Sequence, residues 1–147
     1  MTPLTDKAEH GYCEAYEEIL GPVHEDPIEL LELGTWRSGG LEGWAQWMPE
    51  AKITGVDVEP LRFLDHPRIW LVKCNVLSFA PDRHYDVIID DIHDEAYTPD
   101  AFEQLWPWLK PGGHYFLEDQ TSPTERVKAL GGYEEVAPFL LHFRKEG

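Results

Sequence analysis

Short apolar runs spaced along the chain constrain its fold more than any other feature. They cover residues 28–33, 51–58, 68–74 and 85–90, and another at 113–119 follows the turn sequence KPGG. The runs are continuous rather than alternating, which is typical of parallel strands covered on both faces. Helix-like segments such as LEGWAQWMPE and TPDAFEQLWPWLK separate them. The pattern therefore predicts a doubly wound α/β domain with a mostly parallel sheet.

The length and composition bound the class of protein. With 147 residues, 42% of them hydrophobic, we expect a single compact domain over residues 1–147. No apolar run could cross a bilayer and the N-terminus lacks a signal-peptide pattern, so we expect a cytoplasmic protein without a membrane partner. A formal charge of −16 argues against a nucleic-acid partner, because such binding depends on Lys and Arg. A small neutral or cationic ligand fits better, although an acidic surface that only maintains solubility explains the charge equally well.

Three further segments carry local structural signals. In TPDAFEQLWPWLK, Thr98 is predicted to cap the N-terminus of a helix, and Pro107 to kink or end its last turn. Before the first strand, HGYCEAYEEILGP has the pattern of an amphipathic helix with Tyr12 and Tyr16 on one side, which packs either on the sheet edge or over the ligand site. After Asp119 there is room for one short helix and one or two strands, so we expect a compact fold with a shortened C-terminal part.

Glycines and polar residues follow the first three predicted strands, at the edge of the sheet where ligands bind. The loop GTWRSGG, which contains Gly34, allows a tight turn and close approach of the backbone to a ligand. Strand two ends at Asp57, where a carboxylate can accept both hydroxyl hydrogens of a ribose or only form a turn. Strand three ends at Asn75, which can bond an adenine edge or cap a turn.

Acids and a histidine follow the fourth and fifth predicted strands. They are Asp90, Asp91, His93, Asp94 and Glu95 after the fourth strand, and Glu118 and Asp119 after the fifth. If these strands are neighbours, a divalent cation such as Mg²⁺, which prefers hard oxygen ligands, relieves the repulsion between their carboxylates. His93 is then close enough to act as a general base. The alternative is that several of the acids face solvent or precede a helix, and that His93 is merely exposed.

Taken together, these motifs resemble the class I S-adenosylmethionine-dependent methyltransferases, and within them the macrocin and mycinamicin sugar O-methyltransferase group. The resemblance covers about residues 4–119 and is carried by TDKAEHGYCEAYEEILGP, IELLELGTWRSGG, ITGVDVEP, DVIIDDIHDEAY and LWPWLKPGGHYFLED. The first and second strand motifs are generic to the superfamily, whereas the opening segment and the paired acids are more specific. The resemblance implies a Rossmann-like fold, S-adenosylmethionine as methyl donor and Mg²⁺ or another hard divalent cation.

The resemblance also implies roles for individual residues. The implied cofactor-binding residues are Glu32 and Gly34 around the methionine moiety, Asp57 on the ribose, Asn75 where an acid commonly meets adenine, and Asp90. The implied metal ligands are Asp90, Asp91, Glu118 and Asp119. The family motif Asp-Asp-Gly-Ser-His is here Asp90-Asp91-Ile92-His93-Asp94. It therefore stays open which acid of this pair binds the metal, and whether His93 or Asp94 faces the acceptor.

The implied function is metal-assisted O-methylation of a hydroxylated small molecule, such as a sugar-containing natural product, with His93 accepting the proton. An alternative is a catalytically reduced S-adenosylmethionine-binding module with a regulatory or interaction role. A nicotinamide dehydrogenase is disfavoured, because the glycine loop lacks the GxGxxG spacing. So short a core would need a second subunit to close its site, as in a homo-oligomer, or would act on a large acceptor.

Overall fold

A computed structural model describes residues 11–34, 39–58, 65–92, 94, 96–120 and 122–147. The strands are β1 (Glu29–Leu33), β2 (Lys52–Asp57), β3 (Ile69–Lys73), β4 (Tyr85–Asp90), β5 (Leu109–Glu118), β6 (Tyr133–Ala137) and β7 (Leu140–Arg144). The α-helices in these ranges are α1 (Cys13–Leu20), α2 (Gly39–Trp47), α3 (Thr98–Leu105) and α4 (Glu125–Lys128). Short 3₁₀ turns cover Gly21–Val23, Val76–Ser78 and Trp106–Trp108. None of the helices in the described ranges is long and apolar enough to cross a membrane.

The strands form one sheet, and its order confirms the predicted doubly wound fold. The order is β3-β2-β1-β4-β5-β7-β6, with β1 to β5 parallel and with β7 antiparallel to both β5 and β6. The chain reverses its direction of travel across the sheet between β1 and β4, and ligands bind outside the carboxyl ends of the strands at such a point. The C-terminal part is short, yet β6 and β7 complete a seven-stranded sheet.

Two apolar layers cover the sheet. The first, called here the α1 layer, contains side chains from α1, α2 and one face of the strands, including Tyr16, Trp44 and Phe116. The second, the α3 layer, contains side chains from α3 and the opposite strand face, including Phe102 and Tyr115. Neighbouring strand residues alternate between the layers because successive side chains point to opposite faces. This alternation decides which acids at the ends of the strands can meet.

The start of α3 differs from the sequence prediction, whereas its end agrees. Tyr97 precedes the helix without a side-chain cap, and Thr98 is the first helical residue, so the predicted cap is wrong. The Thr98 hydroxyl instead accepts a hydrogen bond from the side-chain amide of Gln120 at 2.9 Å, a tertiary contact that local sequence does not reveal. The helix ends at Leu105, and Pro107 lies in the 3₁₀ turn that follows, as predicted.

Arg68 fixes the carboxyl end of α2, and its loss is expected to destabilise the fold. Its guanidinium donates to the carbonyl oxygens of Ala45, Met48 and Ala51 at 2.8 to 2.9 Å. We predict that Arg68→Met lowers the free energy of unfolding by about 2 kcal/mol, because hydrogen bonds to a charged group are lost and helix carbonyls are left unpaired. Arg126→Met is the control. The Arg126 side chain is half exposed and forms only surface ion pairs, so its replacement should change the free energy of unfolding little. Equal urea midpoints for the two variants would contradict the prediction.

A pair of histidines on β5 and β7 predicts loss of stability in mild acid. His114 Nδ1 and His142 Nε2 lie 2.9 Å apart, and the His142 ring stacks on Phe116. Burial, followed by the charge of His114 and of Arg144, lowers the pKa of His142 to about 4. Burial and the charge of Arg144 also lower the pKa of His114, whereas Asp86 opposes this shift. Glu134 is the β6 neighbour of His142 in the sheet.

The pKa of His142 is lower in the native state than in the unfolded chain, so the unfolded chain binds a proton first as the pH falls. The contribution of His142 to the free energy of unfolding is therefore fully present above about pH 6.5 and is lost as the pH falls towards 4. We expect His142→Phe to reduce the loss of unfolding free energy between about pH 7 and pH 4 by about 1 to 2 kcal/mol, allowing for partial exposure of the ring. Chemical unfolding at several pH values measures this difference. A variant with the same pH slope as the wild type would contradict the prediction.

Candidate functional site

Three carboxylates meet at the carboxyl ends of the central strands. Glu32 on β1, Asp91 after β4 and Glu118 on β5 each place a carboxylate oxygen within 4.8 Å of the others. The strand register explains the meeting, because Asp90 lies beside Leu33 on one side and Leu117 on the other. Leu117 belongs to the α3 layer. Because side chains alternate between the two faces, the residues that follow, Asp91 and Glu118, point to the α1 layer, as Glu32 does. We call Glu32, Asp91 and Glu118 the acidic group.

Glu32 lies deep in the α1 layer, against the start of α2. Its side chain is 2% exposed, and the indole N–H of Trp44 donates to its Oε1 at 3.2 Å. A Cβ atom at Gly40 would lie 3.1 Å from Oε2 of Glu32, which is tighter than an ordinary contact. The glycine thus lets the first turn of α2 approach the carboxylate.

Glu118 and Asp119 are held from α1 by two tyrosines. The Tyr16 hydroxyl donates to Glu118 Oε2 at 2.6 Å, and both side chains are buried. The Tyr12 hydroxyl donates to Asp119 Oδ1 at 2.9 Å and accepts the backbone N–H of Asp119 at 3.2 Å. Asp119 has a φ of 63°, so the chain turns sharply directly after β5. Of the two alternatives for the amphipathic helix, the structure therefore shows the one in which it packs over the site.

Asp90 faces the α3 layer, on the other side of the sheet from Asp91. Its side chain is 1% exposed, and its Oδ1 accepts the backbone N–H of Ile92 at 3.1 Å. Burial raises the pKa of Asp90 to about 7, an effect that the Ile92 N–H and the Thr98 hydroxyl oppose. Asp91 is thus the member of the pair that joins the acidic group. The roles of Asp90 and Asp119 as metal ligands, and of Asp90 in binding the cofactor, stay predictions.

Gly34 lets two loops touch at the centre of the site. Its φ is +78°, and a Cβ atom there would overlap the carbonyl group of Asp91 and lie 2.8 Å from Cα of Ile92. Its N–H donates to the carbonyl oxygen of Val56, and the N–H of Asp91 donates to that of Leu33. Backbone therefore packs on backbone between the ends of β1 and β4. Residues 35–38 of the glycine loop lie outside the described residues.

Asp57 and Asn75 lie at the carboxyl ends of the neighbouring strands β2 and β3. The carbonyl oxygen of Asp57 accepts the N–H of Cys74 at 3.0 Å, which ties the two strand ends together. The Asn75 side chain accepts the N–H of Leu77 at 2.9 Å and caps the following 3₁₀ turn. The turn-capping alternative for Asn75 is thus observed. Its contact with adenine, and that of Asp57 with ribose, stay predictions.

The predicted general base, His93, lies outside the described residues, as do Glu95 and residues 1–10. Asp94, the other candidate to face the acceptor, is exposed and accepts the N–H of Ala96 at 3.0 Å. That bond is a local turn contact. The catalytic assignment of His93 therefore stays a prediction.

Sequence reasoning did not place Glu32 with the metal-binding acids, nor the tyrosines against them. Strand alternation was the available signal for Glu32, because Leu30 and Glu32 share a face of β1 and Leu30 belongs to the α1 layer. The contact between Tyr16 and Glu118 joins residues 102 positions apart, which no local pattern reveals.

The acidic group fits a hard divalent cation. Close carboxylates in a buried site repel one another and lose solvation, and a bound cation compensates both effects. An all-oxygen donor set suits Mg²⁺, Mn²⁺ or Ca²⁺ rather than a metal that prefers sulfur or imidazole. The fit rests on the three carboxylates present and on their separation of at most 4.8 Å.

Curated proteins similar in sequence are sugar O-methyltransferases, and no protein-family model matches the chain. The chain is 30% identical over 125 residues to the 8-demethyl-8-(2-methoxy-alpha-L-rhamnosyl)-tetracenomycin-C 3'-O-methyltransferase of Streptomyces olivaceus, covering 75% of this chain and 32% of that protein. It is 26% identical over 125 residues to the mycinamicin VI 2''-O-methyltransferase of Micromonospora griseorubida, covering 75% and 31%. The chain spans about a third of the length of the curated relatives it matches.

Solved structures with the same fold are also methyltransferases. The MycE methyltransferase of the mycinamycin pathway, in complex with Mg and SAH, matches with a TM-score of 0.76 and 18% identity over 92% of this chain and 49% of that one. The N-methyltransferase NodS of Bradyrhizobium japonicum WM9 matches with a TM-score of 0.65 and 17% identity over 98% of this chain and 99% of that one. These matches confirm the predicted Rossmann-like fold.

Proposed function

The chain has the class I methyltransferase fold and is related in sequence to sugar O-methyltransferases, and from this premise we propose that it methylates a hydroxyl group of a small molecule. The acidic group carries the proposal, because its three close carboxylates fit a divalent cation and lie at the carboxyl ends of the central strands, where a nucleotide-derived cofactor binds in this class of fold. Related proteins are named for O-methyl transfer to sugars, which makes a sugar-bearing acceptor the first class to test.

We assign the cofactor S-adenosylmethionine to the loops that follow β1, β2 and β3. Gly34 lets the backbone after β1 pack on the backbone after β4 at this edge of the sheet, Asp57 accepts the ribose hydroxyls, and Asn75 lies on the adenine side. Asp91 and Glu118, with Glu32 beside them, hold Mg²⁺ or another hard divalent cation in the adjoining space. When bound, the cation would orient oxygens of the acceptor and lower the pKa of the attacking hydroxyl.

The reaction requires little else from the protein. The acceptor oxygen forms a bond to the methyl carbon while the sulfur–carbon bond of the sulfonium breaks, and the acceptor proton passes to His93. Tyr16 and Trp44 donate hydrogen bonds to Glu118 and Glu32, which hold these carboxylates in place. Alignment of the reacting atoms and electrostatic stabilisation therefore account for most of the rate in this proposal.

The test is methyl transfer from isotope-labelled S-adenosylmethionine to a panel of deoxysugar glycosides, with Mg²⁺ or with a chelator. The proposal predicts labelled product only with the divalent cation, and loss of product in Asp91→Asn. Glu125→Gln is the control, because the Glu125 side chain is 91% exposed on α4 and lies outside the acidic group. Binding of the cofactor without transfer to any acceptor would contradict the proposal and favour the S-adenosylmethionine-binding module.

A further inference from the structure

Helix α1 places two tyrosine hydroxyls on two consecutive acids at the end of β5. Tyr12 lies directly before the first residue of α1, and the N–H of Tyr16 donates to its carbonyl oxygen, so the two side chains are one helical turn apart. Tyr16 contacts Glu118 and Tyr12 contacts Asp119. Each of the two consecutive acids is therefore contacted by its own tyrosine.

The Tyr16 hydroxyl is a fixed donor. Its ring is fully buried and packs against Trp44 at 4.9 Å and Phe116 at 4.8 Å between ring centroids. From this fixed ring the hydroxyl donates to Oε2 of Glu118 at 2.6 Å.

The Tyr12 hydroxyl connects more than one segment. Besides its contacts with Asp119, its oxygen lies 3.2 Å from the carbonyl oxygen of Phe139, which shares the single hydroxyl proton with Asp119. Phe139 lies between β6 and β7 with a φ of 66°, and its carbonyl oxygen also accepts the N–H of Gln120. The end of β5 is thus held by α1 on one side and by the β6–β7 turn on the other.

We propose that Tyr16 is a positioning residue for the divalent cation, which it serves by holding one carboxylate oxygen of Glu118 so that the carboxylate is oriented before the cation binds. Tyr12 supports this arrangement by holding Asp119, the residue next to Glu118, at the end of β5. The inference rests on the cation site of the proposed function. Its physical basis is that a carboxylate turns freely about its last bonds unless a donor fixes it, and loss of such outer contacts weakens metal binding about 10- to 100-fold.

A purely structural role for Tyr16 makes a different prediction. If the hydroxyl only anchored α1, its removal would lower thermal stability and leave the affinity for a cation unchanged. Tyr115 provides the matched control, since it lies on the same strand as Glu118, is fully buried, and faces the opposite layer. Its hydroxyl makes no hydrogen bond within the described residues. Tyr115→Phe therefore removes a buried phenol oxygen without touching the acidic group.

The test measures Mn²⁺ binding to the full chain by electron paramagnetic resonance, with Mg²⁺ as competitor, for the wild type, Tyr16→Phe and Tyr115→Phe. We expect the Mn²⁺ dissociation constant to rise about 10- to 100-fold in Tyr16→Phe and to stay unchanged in Tyr115→Phe. Calorimetric titration with S-adenosylmethionine in a metal-free buffer should give the same affinity for all three proteins. Unchanged or tighter Mn²⁺ binding by a folded Tyr16→Phe would overturn the inference.

Mn²⁺ binding by the wild type tests the cation site, and the comparison with the variant tests the role of Tyr16. A wild type that binds no Mn²⁺ would overturn both the cation site and the role of Tyr16, whereas a wild type that binds it and a variant with equal affinity would overturn only the latter. Should Tyr16→Phe fail to fold, Tyr12→Phe supplies the decisive measurement, because it loosens Asp119 and with it the end of β5 that carries Glu118, and should also weaken Mn²⁺ binding. A folded Tyr12→Phe with wild-type affinity would then overturn the inference.

Discussion

Glu118→Gln is expected to weaken Mn²⁺ or Mg²⁺ binding at least about 100-fold and to abolish metal-dependent methyl transfer. The substitution keeps the shape of the side chain and an oxygen that can accept the Tyr16 hydroxyl, but it removes one negative charge from the acidic group. Loss of a direct ligand should exceed the 10- to 100-fold effect of losing an outer contact. Calorimetry with Mg²⁺ and a labelled-methyl assay measure the two effects.

The same substitution should not destabilise the protein in metal-free buffer. Three close carboxylates repel one another in a buried site, and a neutral amide at position 118 relieves part of that repulsion. Glu125→Gln is the control, because the Glu125 side chain is 91% exposed on α4 and should change neither binding nor stability. A Glu118→Gln variant that binds Mg²⁺ as the wild type does would exclude Glu118 as a ligand.

Gly34→Ala is expected to lower the free energy of unfolding by about 2 to 5 kcal/mol. A side chain at this position meets two costs, an unfavourable left-handed backbone of about 1 to 2 kcal/mol and overlap with the main chain around Asp91 of about 1 to 3 kcal/mol. The overlap is with backbone atoms, which cannot turn aside as a flexible side chain can. Urea unfolding followed by circular dichroism measures the change.

Gly112→Ala separates these two costs. Gly112 has almost the same φ, +80°, but a Cβ atom there would have nothing within 4 Å. It should therefore lose only the backbone contribution, about 1 to 2 kcal/mol. If both variants unfold at the same urea concentration, the close approach of the two loops contributes nothing to stability. Gly34→Ala should also weaken S-adenosylmethionine binding, whereas Gly112→Ala should not.

The sheet could be predicted because its signal is local. Buried parallel strands appear as continuous apolar runs. Residues 28–33, 51–58, 68–74 and 85–90 correspond to β1, β2, β3 and β4, with a difference of at most one residue at each end. The signal is weaker at β5, which begins at Leu109 and includes the sequence KPGG that was interpreted as a turn. Gly112 adopts a positive φ within this strand without ending it.

The site could be predicted only in part, because its composition depends on faces and on distant contacts. Strand order alone brings the acids of β4 and β5 to one edge, but the face of each acid decides its partners. Asp90 and Asp91 are adjacent in sequence and lie in different layers. Asp91 therefore lies with Glu118, whereas Asp90 contacts Thr98. The tyrosines of α1 reach their acids through tertiary packing, which depends on the whole α1 layer.

The central claim is that this acidic α/β domain binds S-adenosylmethionine at the loops after β1 and β2. Calorimetric titration with S-adenosylmethionine, with and without Mg²⁺, for the wild type and Asp57→Ala tests it most directly. The account predicts saturable binding by the wild type and a loss of at least about tenfold in Asp57→Ala, because the ribose hydroxyls lose their acceptor. Absence of binding by the folded wild type under either condition would contradict the account.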